Sequence, residues 1–262
     1  MQQSDGVAWG VTESVGRIVL KRHEYANTLS HAASQALIQA INSVLDQQPR
    51  VVLLAAEGKI FCAGGDIAEF AAAGPALADL VDDILEPLHP ALYRLATAPM
   101  PVISVLNGPI GGAGIGLALC ADFVLAAQSV KLRTGYAALG LSPDLGASYF
   151  LARRVGAIRA QQWLMLSQTI SAQDCLTHGV VDALYPEDEL TQAAEDLATR
   201  LSQSARASLT SIKTLCSGLP ARDLHTHLQL EHQFLTACAR RTDAQEGIHA
   251  FFERRAPRFT GN

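Results

Sequence analysis

The sequence predicts an α/β fold, an alternating strand-and-helix core followed by an all-helical tail, and three observations carry that reading. Short apolar runs at Val51–Ala56, Val102–Leu106 and Phe123–Ala127 alternate with stretches of helical spacing. Two glycine-rich turns, Phe61-Cys-Ala-Gly-Gly65 and Gly111-Gly-Ala-Gly114, each stand between a strand and a helix. From Gly146 onward the pattern is almost wholly helical.

Taken in order, residues 7–21 alternate around Glu13-Ser-Val-Gly16, which suggests a hairpin. Ser30 is placed to cap a helix whose apolar positions Ala33, Leu37, Ala40, Ile41 and Val44 keep helical spacing. The strand Val51–Ala56 ends in Glu57-Gly-Lys59, and Asp66 leads into a short helix. Ala72-Ala-Gly-Pro75 reads as a flexible connection, not a domain linker. A helical stretch over 76–97 is expected to be interrupted by Pro87 and Pro90. After the strands at 102–106 and 123–127, helices are expected at 146–154, 157–167, 171–178, 187–204, 206–217 and 221–240, with one short strand near 181–184. The segment from Phe251 to Thr260 is a helix end stopped by Pro257, rich in aromatics and arginine, and such an end is expected to dock onto something. The chain shows no sequence repeat and no low-complexity segment.

At 262 residues and 49% hydrophobic, the chain can bury a substantial core. Its net charge of −5 and scattered basic residues, clustered only at Arg254, Arg255 and Arg258, argue against nucleic acid or an anionic membrane as partner. The five cysteines lie far apart with no C-x-x-C spacing, as expected for free thiols in a reducing compartment. The N-terminus lacks a basic region followed by an apolar one, and no apolar run approaches the roughly 18 residues of a membrane span. The expected location is the cytoplasm.

The two glycine-rich turns are the chemically informative feature. Each enters a helix from a strand, so each can aim a backbone N–H at one point, and two such donors make an oxyanion hole. The same glycines could instead serve only tight turns and close packing. A dinucleotide-binding reading fails because Leu117 occupies the place of the third glycine and no acidic residue follows at the required distance.

Ala26-Asn27, Phe61-Cys-Ala-Gly-Gly-Asp-Ile67, Asn107-Gly with Gly112-Ala-Gly114 and Asp122, Gly140-Leu-Ser-Pro-Asp-Leu-Gly146, Leu151-Ala-Arg-Arg-Val-Gly156 and Phe252-Glu-Arg-Arg-Ala-Pro-Arg-Phe259 together resemble the enoyl-CoA hydratase/isomerase (crotonase) superfamily. The resemblance runs through nearly the whole chain in the right order. It implies a crotonase-like spiral of ββα turns over residues 1–200 that binds acyl-CoA. It also implies a C-terminal helical trimerisation region over 201–262, assembled as a homotrimer or a dimer of trimers. By the same resemblance the thioester oxygen would accept hydrogen bonds from the N–H groups of Gly65 and Ala113. Coenzyme A would lie along Ala26, Ala63, Asp66 and Ile67, and Arg254 would face its phosphates, or else be a solvated helix charge.

The departures from the family pattern are as informative. Hydratases of this family carry two glutamates that hold and split a water, and their places here are Gly116 and Tyr136. Neither is a carboxylate base; Tyr136 could hydrogen-bond a substrate or simply fill the volume. What remains is Asp144, set among Leu139, Leu141 and Leu145, an environment expected to raise a carboxyl pKa and suit proton transfer. The alternative for Asp144 is a helix N-cap. Asp in this position resembles double-bond isomerases, a ring-opening epoxyphenylacetyl-CoA isomerase and 4-chlorobenzoyl-CoA dehalogenase. The dehalogenase also needs a histidine base, whose place by register is Tyr93, with His89 one turn earlier. His225, His227 and His232 with Glu231 suggest a metal set, but their helical spacing favours a surface stripe.

The sequence therefore points to an acyl-CoA enzyme with no metal or redox cofactor, a double-bond isomerase using Asp144. The alternatives are a member with weak hydration, a dehalogenase or thioester hydrolase with Asp144 as nucleophile, and a non-catalytic acyl-CoA-binding paralogue.

Overall fold

The computed structural model describes residues 1–261. The chain opens with strands β1 (Gln2–Ser4), β2 (Val7–Thr12) and β3 (Val15–Leu20), an antiparallel meander. Thr12 pairs with Val15, so the hairpin turn is Glu13-Ser14 alone, both at positive φ (51° and 66°), as a primed two-residue turn demands. Val15 and Gly16, expected in the turn, already belong to β3.

Helix α1 (His31–Asp46) starts at Ser30, whose hydroxyl accepts from the Ala33 amide at 3.2 Å, and it buries all five of the expected apolar positions. Strand β4 (Val51–Ala56) is followed by the short helix α2 (Ile67–Ala73) and then by α3 (Leu77–Ala96). Ala72 and Ala73 finish α2, and a single 3-10 turn at Gly74–Ala76 joins the two helices where a flexible connection was expected. Pro87 and Pro90 do not interrupt α3. Each removes one hydrogen bond, but the stripe Ile84, Leu88, Ala91, Leu92 and Leu95 is buried and holds the helix in place through them.

Next come β5 (Val102–Leu106), β6 (Ile110–Gly111), α4 (Ala113–Leu119), β7 (Phe123–Ala127) and β8 (Leu132–Arg133). Helices α5 (Ala147–Val155) and α6 (Ala157–Leu166), β9 (Thr169–Ile170), α7 (Ala172–Thr177), β10 (Ala183–Tyr185) and α8 (Glu187–Ser202) complete the core. The tail is α9 (Arg206–Ser217), α10 (Leu224–Ala239) and α11 (Thr242–Glu253).

The large sheet has the order β1-β2-β3-β4-β5-β7-β10 and is parallel from β3 onward. A second layer is formed by β6-β8-β9 together with the parallel bridges Leu29↔Gly65 and Cys62↔Ile110. The chain thus repeats one path: a strand in the large sheet, a short extended piece in the second layer, then a helix. This is the ββα spiral of the crotonase fold. Helices α1, α3 and α4 cover one face of the large sheet, and Leu190, Ala194 and Ala198 of α8 pack against Val51, Leu53, Ile103, Val105 and Leu125 on the other. Strands buried on both faces explain the uninterrupted apolar runs in the sequence.

The tail touches the core through few side chains. Lys213 of α9 donates to the Met100 carbonyl at 3.0 Å and to Asp122 at 2.7 Å, while the same carboxylate accepts the Val102 amide at the start of β5. Helix α10 buries no residue among those described, and Leu224, Leu228 and Leu235 are exposed, as are Ile248, Phe251 and Phe252 of α11. The chain end folds back on its own helix: Asp243, only 5% exposed, accepts from the amides of Thr260 (2.8 Å) and Gly261 (2.9 Å). All five cysteines are free thiols, and no helix among the described residues is long and apolar enough to cross a membrane.

Removing the buried carboxylate leaves those two amides unpaired. Asp243→Ala is therefore expected to lower the unfolding free energy by about 1–3 kcal/mol in a urea titration and to speed tryptic cleavage after Arg258.

Candidate active site

The two glycine-rich connections meet main chain to main chain. Gly64 lies so close that an added Cβ would sit 3.0 Å from the Gly111 oxygen and 3.1 Å from the Gly112 Cα. In the bridge between Leu29 and Gly65, Leu29 donates to Gly64 O (2.8 Å) and accepts from the Asp66 amide (3.3 Å). A parallel bridge of that pattern turns the intervening Gly65 N–H to the opposite side. Gly112 opens α4, so the amide of Ala113, the first helical residue, has no partner within the helix. The neighbouring amides are used structurally: Gly111 N donates to Cys62 O at 2.9 Å and Gly112 N to Arg133 O at 3.3 Å. Among the described residues the amides of Gly65 and Ala113 have no such acceptor, and both residues line one cavity of about 680 Å³. Two free N–H groups on one cavity wall form an arrangement suited to a developing oxyanion.

The rest of the wall is mostly apolar. Val81, Ile84, Leu85 and Leu88 of α3 present one helical stripe to the cavity, and Phe70 lies against Gly65. The sequence signal for this stripe is the 81, 84, 85, 88 helical spacing of apolar residues, which does not by itself distinguish a cavity wall from core. Leu139, Leu141 and Ile67 are exposed lining residues, and Arg133 of β8 also lines the cavity.

Asp144 stands in this wall, and its position rests on an unusual turn. Leu145 (φ 46°) and Gly146 (φ 74°) are consecutive left-handed residues, and Gly146 makes no side-chain cap for α5. Asp144 gives only its carbonyl to the helix start, accepting from the Ala147 amide at 2.8 Å. The N-cap alternative is thereby overturned: the carboxylate is turned to the cavity, where the Tyr136 hydroxyl donates to Oδ1 at 2.6 Å. Burial, the largest influence, pushes the Asp144 carboxyl above its ordinary range, against the Tyr136 hydrogen bond, its own backbone amide and the nearby His89. Burial and the Asp144 charge drive the Tyr136 phenol upward as well, so it remains a protonated donor.

The sequence-predicted residues separate into groups. Gly65, Ala113, Asp144, Tyr136, His89, Ala63 and Ile67 all line the cavity. Gly116 does not: an added Cβ would fall 1.9 Å from the Leu145 carbonyl oxygen, so the residue is sealed under that loop. Tyr93 does not either; it is 71% exposed and borders a groove between the core and α9. One helical turn advances about 5.4 Å along α3, which leaves His89 at the cavity and carries Tyr93 past it.

Ala26 and Asp66 support the cavity from behind. Ala26, left-handed at φ 53°, accepts the Ala63 amide at 3.1 Å. Asp66 accepts from the amides of Ala68 and Glu69 at the start of α2 and pairs with Arg22 at 2.8 Å. Burial opposes its ionisation, but Arg22 and those amides outweigh it and hold the carboxyl below its usual range. Arg254 ends α11 and is exposed, outside the lining of this cavity in the single chain. Among the described residues no three His, Cys, Asp or Glu side chains converge as metal ligands, and His227 pairs with Glu231 along α10.

The ββα spiral, with two free amides on the wall of an apolar cavity, places the protein in a class of α/β proteins whose cavity can hold an oxyanion. Residues 10–262 match the enoyl-CoA hydratase/isomerase family, and the chain belongs to it. It is 33% identical to the 1,2-epoxyphenylacetyl-CoA isomerase of Escherichia coli K12, across 96% of this chain and 97% of that protein. It is 28% identical to the trans-2-decenoyl-[acyl-carrier-protein] isomerase of Streptococcus mutans, across 97% and 98%. Its fold is similar to the crystal structure of the enoyl-CoA hydratase of Bacillus anthracis, with a TM-score of 0.91, 30% identity and coverage of 98% of this chain and 100% of that one. The relatives thus include both isomerases and a hydratase.

A carboxyl whose folded pKa is raised binds its proton more tightly when folded, so its stabilising contribution is complete below the unfolded pKa and is lost as pH rises through the folded one. Asp144→Asn is expected to be more stable than the wild type at neutral pH, and the gap should close as pH falls toward the ordinary carboxylate range. Thermal melts across that pH series check the sign.

Proposed function

We propose that this protein is a double-bond isomerase of enoyl-CoA thioesters. The observation that carries the reading is that Asp144 is the one carboxylate among the residues lining the cavity, while the place of a second acid at Gly116 is filled by the Leu145 carbonyl. With the thioester oxygen held by the Gly65 and Ala113 amides, Asp144 removes a proton from the α-carbon of a 3-enoyl thioester. The C–H electron pair moves into the dienolate, and the oxygen's growing charge is met by both donors. Asp144 then returns the proton to the γ-carbon, which leaves a 2-enoyl thioester and restores the carboxylate. The step is redox-neutral and calls for no metal or redox cofactor.

The apolar α3 stripe suits an uncharged acyl group, with Ala63 and Ile67 toward the coenzyme A portion. Exposed Leu228, Leu235, Phe251 and Phe252 suit burial between subunits of a homotrimer or a dimer of trimers, in which Arg254 would reach a neighbour's coenzyme A phosphates. A cytoplasmic setting fits the free thiols.

A second reading has one observation in its favour, since His89 and Asp144 line the same cavity. In that route Asp144 attacks an aryl carbon as nucleophile, halide leaves, and His89 activates a water that hydrolyses the aryl ester.

Asp144→Asn is expected to lower turnover of a 3-enoyl-CoA by about 10²–10⁴-fold, and full retention of activity sinks the reading. Assay over many turnovers in oxygen-18 water separates the routes: a proton shift places no label in the product, hydration labels it directly, and the nucleophilic route labels it through the Asp144 carboxylate, which takes up the water oxygen at each turnover. For the assembly, Leu235→Glu combined with Phe252→Glu should reduce the mass seen by light scattering from a trimer or hexamer to a monomer.

A further inference from the structure

We propose that Tyr136 is a positioning residue that occupies Oδ1 of Asp144 and so dedicates Oδ2 to moving the substrate proton. This rests on the isomerase reading and adds to it which oxygen works and what keeps it ready.

The phenol is held from both ends. Tyr136 is 7% exposed, with its ring in the main core. Its amide donates to Thr134 O at 2.8 Å, and its carbonyl accepts from Leu139 at 3.0 Å and Leu141 at 3.1 Å, so it anchors the turn that carries the cavity mouth. From that fixed base its hydroxyl reaches Oδ1 at 2.6 Å, the short distance of a bond to a charged acceptor. Among the described residues no side chain donates to Oδ2. Because the phenol stays protonated, it can only donate while the carboxylate is ionised, which counteracts the burial that favours the neutral acid.

In the shift itself Oδ2 takes the α-proton while the C–H pair enters the dienolate, then gives the same proton to the γ-carbon. The Tyr136 proton never leaves its oxygen. A carboxyl free to rotate would present two oxygens and could also turn its proton away from the substrate; one pinned at Oδ1 stays aimed.

The other titratable or charged groups facing this pair are His89 from α3, Arg133 from β8, and Cys62 beneath the glycine turns. Burial pushes the Cys62 thiol up to about 12, so it remains neutral at working pH. His89 and Arg133 are therefore the neighbours on the cavity wall, and His89 is the one replaced as a control.

The test is the pH profile of kcat/KM on a 3-enoyl-CoA for Tyr136→Phe, repeated in a His89→Gln background. The expected result is an acid limb moved to higher pH and a kcat lowered by about 10- to 100-fold with little change in KM. In an Asp144→Asn background, Tyr136→Phe is expected to add no further loss. Fluorotyrosine placed at 136 alone makes the converse change: a stronger donor should move the acid limb to lower pH, and it keeps the question answerable if the phenylalanine variant does not fold. An acid limb that stays in place in these variants, or a loss confined to KM, overturns the proposal. If Asp144→Asn itself keeps full activity, the isomerase reading fails; if Asp144→Asn is inactive and the limb does not move, only the positioning role of Tyr136 fails.

Discussion

The structure depends on direct contact between backbones that have no side chains to keep them apart. Helix α4 is built from Ala113-Gly-Ile-Gly-Leu-Ala-Leu119, and its two glycines face other main chains. An added Cβ at Gly114 would stand 2.4 Å from the Cys62 carbonyl, and one at Gly116 1.9 Å from the Leu145 carbonyl. These approaches bring three otherwise separate connections to one place: the turn after β4, the start of α4 and the loop before α5. The Gly65 and Ala113 amides share a cavity because of the first approach, and Asp144 is presented to it because of the second.

The arrangement carries local penalties that stability alone would remove. Leu145 is fully buried in a left-handed conformation that costs a residue with a Cβ about 1–2 kcal/mol. Asp144 is held where burial opposes its charge, with the Tyr136 hydroxyl as its one side-chain donor among the described residues. Strained backbone and a desolvated acid at one spot are typical of a site kept for chemistry. The extensive core around α1 and the large sheet tolerates them.

Much of this was legible in the sequence, and the rest was hidden for specific reasons. Ser30 and the α1 stripe, the apolar strands and the helical tail all follow from local spacing and capping. Strands β6, β8 and β9 are two residues each, too short for any periodicity, so the second layer and the spiral repeat came only from the family resemblance. The continuity of α3 through two prolines depends on tertiary burial of Leu88, Ala91 and Leu92, which outweighs the local signal to break. Aligned position suggested Gly116 and Tyr93 as pocket residues, but contact depends on the loop at Leu145 and on distance along α3. The glycine turns and Asp144, in contrast, stand out in the sequence by residue type and order, and the structure brings them to one cavity.

The proposed isomerase rests on one carboxylate, Asp144, carrying a proton between two carbons without addition of water. The most direct measurement is NMR of the product formed from a 3-enoyl-CoA carrying deuterium at both α-hydrogens. Transfer by a single carboxylate gives a 2-enoyl-CoA with deuterium at the γ-carbon. A 3-hydroxyacyl-CoA as the main product would contradict it.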